Sequence, residues 1–98
     1  MSSTEAQLRL TVAALMYATG ENQTDLGRGL RLSQGQVSRK QSGLSGSSWT
    51  LADIDKLAAH YGIAVPDLLS GADHAVSRLP TRRRAATVGG TQTTITAT

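Results

Sequence analysis

Gln34, Gln36, Ser38 and Arg39 stand close together in the chain, and all carry hydrogen-bonding side chains. Glutamine both donates and accepts, arginine offers a rigid fork of donors, and serine is short and adaptable. Such a set recognises a partner by hydrogen bonds rather than transforming it. Base edges in the major groove of a duplex are partners of this kind. Glutamine pairs bidentately with adenine and arginine with guanine, each pair giving roughly 1–3 kcal/mol of discrimination. Gly35, among them, either allows close approach or leaves a base unread. Sets that would do other chemistry are missing from the sequence. There is no Ser/His/Asp combination or carboxylate pair, and the Gly-Gly-Thr-Gln-Thr-Thr stretch lacks the lysine and following helix of a nucleotide loop. No catalytic residue is expected, and the chain reads as a non-enzyme.

Composition narrows the choice further. The 98 residues fit one domain with a modest core and a tail. Without cysteine there is neither a disulfide framework nor a thiolate metal site. His60 and His74 are too few and too far apart to form a metal box, so no metal or cofactor is expected. No apolar run approaches the roughly 20 residues of a membrane span, and Met1–Leu10 lacks the charged-then-apolar order of a secretory signal. The expectation is a cytoplasmic protein, in a bacterium or a phage host, with no membrane partner or small-molecule ligand.

Charge is unevenly placed. Residues 1–70 hold Arg9, Arg28, Arg31, Arg39, Lys40 and Lys56 against Glu5, Glu21, Asp25, Asp53, Asp55 and Asp67, and so are balanced. Within them, residues 22–46 carry four positive side chains and only Asp25. A local basic patch can follow phosphates even where the domain is neutral. The excess lies beyond, where Arg78, Arg82, Arg83 and Arg84 face Asp73 alone.

These residues need elements to hold them. Thr4 with Gln7 fits a capping box for a first helix over residues 4–19, with Leu8, Val12, Leu15 and Met16 at helical spacing and Gly20 as the stop. Asn22 caps a short second helix from Gln23 to about Gly29, with Leu26 and Leu30 on one line. Ser33 and Gln36 form a capping box for a third helix over Gln34–Gln41, stapled by Leu32 and Val37. Val37 is its one sizeable apolar residue, so the helix buries a narrow line and exposes the rest. Residues 42–48 read as a loop. Trp49, Thr50, Asp53 and Ile54 repeat the cap and staple for a fourth helix, whose inner face is Leu51, Ile54, Leu57, Ala58 and Tyr61 and whose end is Gly62. Trp49 is expected as a core lid, Tyr17 and Tyr61 as packing residues with wet hydroxyls, and His60 as a complement to the helix dipole. Ile63, Val65, Leu68 and Leu69 supply a last short helix, with Pro66 in its first turn. Residues 71–98 read as a basic, Thr-rich tail, whose end at residues 85–98 is either a hairpin or added strand, or disordered.

The stretch from Asn22 to Arg39 resembles the helix-turn-helix of the lambda-repressor and Cro-type family. The matching features are Gln23, Leu26 with Gly27, Leu30 before the turn, Leu32-Ser33-Gln34, and Val37-Ser38-Arg39. The likeness continues from Leu51 to Leu69 and covers residues 8–70. It implies an all-α, five-helix domain at 1–70 followed by the 71–98 tail. It also implies that Gln34, Gly35, Ser38 and Arg39 face bases, with Ser33, Gln36 and Lys40 on the same segment. Gln23 would bond a phosphate and buttress the reading helix, and the Leu44–Ser48 loop with Trp49 and Thr50, including Ser47, would face the backbone. Three departures stand out. Arg31 occupies a usual glycine position, where a left-handed backbone costs on the order of 1 kcal/mol. Glu21 and Lys40 replace usual apolar residues.

On this resemblance the chain is expected to be a phage or bacterial transcriptional regulator of the repressor or Cro kind. It would bind a double-stranded operator as a homodimer, with half-sites about 34 Å apart. The tail is the candidate dimer contact by strand pairing, and Arg82, Arg83 and Arg84 form a candidate DNA arm. Two alternatives remain: an antitoxin that binds operator DNA while its tail wraps a toxin, and a helix-turn-helix fold used only for protein interaction.

Overall fold

The computed structural model describes residues 3–84, and within them every regular element is a helix. Helix α1 spans Thr4–Thr19, α2 Gln23–Leu30, α3 Gln34–Ser42, α4 Leu51–Tyr61, α5 Val65–Leu68 and α6 Ala72–Ser77. One-turn 3-10 segments at Leu44–Gly46 and Thr81–Arg83 complete the order. The expected strand or hairpin at 85–98 lies outside the described residues.

Local signals set most of the helix starts. Asn22, Ser33 and Thr50 each accept from the backbone amide three residues on, and Asp25, Gln36 and Asp53 return the bond to the cap's own amide. At α1 the cap is Ser3, whose Oγ accepts from Ala6 N at 3.0 Å, rather than the expected Thr4. Thr4 already lies inside the helix, because the residue before it has the extended backbone that a cap requires.

The core joins α1 (Leu8, Val12, Leu15), α2 (Leu26, Leu30), α3 (Val37) and α4 (Leu57, Ala58, Tyr61), with Trp49, Ile63 and Leu68 closing it. Between α2 and α3 the turn is tight. Leu32 N donates to Gly27 O at 2.8 Å, and a Cβ at Gly27 would stand only 2.6 Å from Leu32 O. Arg31 takes the left-handed conformation, φ 61° and ψ 41°, as the turn demands.

Three expectations are corrected. Leu51 is 84% exposed, and Asp53 takes a buried place on the first turn of α4 instead. Side chains at a helix start lean back past its end, so Leu51 points over the open side of the loop. Tyr17 is 83% exposed and lies outside the buried core. Finally, the packed structure does not stop at residue 70. Helix α6 lies against α1, with Ala75 and Leu79 buried in the same core. The small apolar residues of 72–79 gave little periodic signal, yet alanine suffices where α6 meets α1 closely.

Candidate nucleic-acid interface

The N-termini of α2 and α3 meet at the surface. Gln34 Nε2 donates to Gln23 Oε1 at 2.7 Å, joining the first residues of the two helices. This is the buttress expected of Gln23. The remaining donors of Gln23 and the carbonyl of Gln34 stay available to a partner.

Helix α3 is held from behind by Val37, fully buried, and by Gln41. Gln41 Oε1 accepts from Trp49 Nε1 at 2.8 Å, while its Nε2 donates to Arg9 O at 3.1 Å. Sequence reasoning gave Gln41 no role. Its place one turn after Val37 was the available signal, since a polar residue on a buried stripe needs partners there. Trp49, 5% exposed, is the lid it was expected to be, and its buried indole N–H explains why Gln41 is needed.

The outer face of α3 is polar. Gln34 and Arg39 are exposed, Gly35 and Ser38 are half-buried, and among the described residues no ion pair involves Arg39. Ser33 and Gln36 face the same way, but each already has a structural task. Ser33 Oγ accepts from Gln36 N at 3.1 Å, and Gln36 Oε1 accepts from Ser33 N at 2.9 Å.

Beside α3 runs a groove of about 730 Å³, bounded by Thr4, Glu5, Gln36 and Arg39 on one side and by Ser47, Thr50 and Leu51 on the other. Thr50 caps α4 here, with its Oγ1 3.1 Å from Asp53 N. The first amides of α4 therefore open toward the same side as the tips of α3, where an anionic oxygen would be favoured.

Lys40 also lines this groove, but its ammonium is turned to α4. Its Nζ donates to Asp53 Oδ2 at 2.8 Å and to Ser48 O at 3.4 Å, and lies 6.0 Å from the Trp49 ring centre. The Lys40 ammonium is thus answered by a carboxylate on α4. Burial alone would raise the Asp53 pKa, but Lys40 together with the Thr50 amide and hydroxyl outweighs burial and holds it below the usual value.

The other unusual charge, Glu21, is answered in the same manner. His60 Nε2 lies 2.6 Å from Glu21 Oε2, and Arg83 Nη2 lies 3.5 Å from that oxygen. The Arg83 guanidinium also sits 5.8 Å from the centre of the Tyr61 ring. Burial works to raise the Glu21 pKa, yet the bond to His60, the nearby Tyr61 hydroxyl and the His60 charge lower it on balance. The Tyr61 phenol is pushed far up by burial and by Glu21. Its hydroxyl is buried beside Glu21, not wet as expected. His60 is therefore a hydrogen-bonding partner of Glu21 as well as a helix-end residue.

Two of the three arginines of the expected arm make contacts within the fold. Arg83 is held by Glu21, and Arg84 Nη2 donates to Val76 O at 2.8 Å, while Arg82 and Arg84 both remain exposed. Elsewhere among the described residues, no helix is long and apolar enough to cross a membrane, and no group of three or more His, Asp or Glu is placed to hold a metal.

Comparison with curated proteins and with solved structures gives no match to the chain. The BetR domain family matches residues 3–95, spanning both the helical body and most of the residues beyond it. The chain belongs to the BetR domain family.

Proposed function

We propose that this protein binds duplex DNA with α3 in the major groove and acts as a transcriptional regulator, by recognition rather than catalysis. One observation carries the reading: the Gln34–Gln23 bond fixes the N-terminus of α3 while the Gln34 and Arg39 tips stay exposed. A groove about 12 Å wide admits one helix presenting such tips. Supporting it, residues 22–46 carry four positive side chains against one negative, and the cap of α4 opens beside α3 where a phosphate would pass. The likeness of residues 22–39 to lambda-repressor and Cro-type proteins suggests a repressor in a bacterial or phage-infected cell, acting as a homodimer on paired half-sites.

Selection of bound sequences from a random duplex pool tests this, with affinity followed against salt. A single enriched, palindromic sequence whose log affinity falls linearly with log salt is expected. Failure to enrich any sequence would end the reading.

A second reading, protein interaction without DNA, draws on α1. Leu10 and Tyr17 stand seven residues apart, 62% and 83% exposed, on one side of that helix. Absence of duplex affinity at low salt would favour it.

A further inference from the structure

Two side chains of α3 have their directions set by near neighbours. Long side chains on a helix lean toward its N-terminus and cover the preceding turn. Arg39 therefore projects across position 35, four residues back. That position is glycine, and Arg39 Nη1 lies 3.5 Å from the place a Cβ would occupy. The guanidinium rests along bare backbone, on an exposed surface, with no ion-pair partner among the described residues.

Gln36 is constrained from the other side. Its Oε1 accepts from Ser33 N at 2.9 Å. A backbone N–H only donates, so the carbonyl end of the amide must face it and Nε2 turns away. Gln36 thus presents donors alone, next to the donor fork of Arg39. Among the purines and pyrimidines, guanine is the base that offers two acceptors, N7 and O6, side by side in the major groove; adenine places a donor beside its N7.

We propose that Gly35 is a specificity-determining residue. By leaving the turn bare it lets Arg39 lie across α3 and fork onto a guanine, so that each half-site contains a guanine whose selection depends on residue 35 through Arg39. This rests on α3 being the helix that enters the groove.

The test uses the full chain and four variants: Gly35→Ala, Gly35→Gln, Arg39→Ala and the Gly35→Gln/Arg39→Ala double substitution. Each is put through sequence selection. Affinity is then measured on the selected duplex and on one with the guanine pair replaced. Thermal unfolding checks folding, which position 35 should preserve, since nothing lies closer than 3.5 Å to an added Cβ and glycine is itself a poor helix former. Gly35→Ala adds a Cβ at ordinary contact distance, so guanine preference should persist. Gly35→Gln fills the path of Arg39, and the preference should fall on the order of ten- to a hundredfold, as for Arg39→Ala. In the Arg39→Ala background, Gly35→Gln should lower it no further. Unchanged preference in Gly35→Gln overturns the proposal, as do losses that add at two different base pairs. If the wild-type chain selects no sequence, the DNA-binding reading itself fails. If it selects a sequence with no Arg39-dependent guanine, only the present inference fails.

Discussion

Lys40 Nζ and Asp53 Oδ2 stand 2.8 Å apart between α3 and α4, with side chains 19% and 7% exposed. This buried pair, not an apolar contact, fixes the C-terminal half of α3 against α4. Removing one member of such a pair leaves the other charged and desolvated without its counter-charge, although Asp53 keeps the Thr50 amide and Lys40 the Ser48 carbonyl. Lys40→Met is therefore expected to destabilise the fold by about 2–4 kcal/mol, and Asp53→Ala by a similar amount. The double variant should lose clearly less than the sum in chemical denaturation, because neither charge is then stranded. Additive losses would show that the pair is not coupled.

Acid should undo the fold through Asp53 and Glu21. Both carboxyls are held below their ordinary pKa in the folded state. A depressed folded pKa means the unfolded chain binds protons first, so stability rises with pH through the carboxylate range. The contribution is complete above about pH 4–5, near the unfolded carboxylate values. It is lost as pH falls from there through the lower folded values. Unfolding midpoints measured from pH 7 to pH 2 should be level at first and then drop. Lys40→Met should make the acid slope shallower, since Lys40 is the main group that lowers the Asp53 pKa.

Arg31 carries backbone strain at φ 61°. Arg31→Gly should raise stability by about 0.5–1 kcal/mol, the relief of a left-handed residue less the added freedom of the unfolded chain. Arg31→Ala keeps the Cβ and should give no gain, which denaturation midpoints would show.

Arg83 and Arg82 are neighbours with opposite roles. Arg83→Ala should lower the melting temperature and leave the salt dependence of duplex affinity unchanged, since its guanidinium already meets Glu21. Arg82→Ala should leave melting unchanged. Where Arg82 meets a phosphate, the same change reduces the slope of log affinity against log salt by about one. A changed slope in Arg83→Ala would show that the Glu21 contact is released on DNA.

Much of this arrangement is legible in the sequence because its signals are local. Asn22 and the pairs Ser33/Gln36 and Thr50/Asp53 mark three helix starts, and Gly20 and Gly62 mark two ends. The isolated Val37 foretells a helix with a polar outer face. What the sequence conceals is pairing at a distance. Lys40 and Asp53 are 13 residues apart, and Glu21 lies 62 residues from Arg83, so nothing nearby shows that each odd charge has its answer. Helix α6 is hidden for another reason. Its buried residues are as small as Ala75, which carry little hydropathy signal but allow close approach to α1.

The central claim is that α3 meets the duplex, and amide chemical shifts of the labelled full chain, followed as a selected duplex is added, test it most directly. The prediction is that the largest changes fall on Gln34, Gly35, Ser38 and Arg39, with smaller ones at Gln23 and Thr50. Changes confined to the Leu10–Tyr17 side of α1, with α3 unmoved, would contradict it.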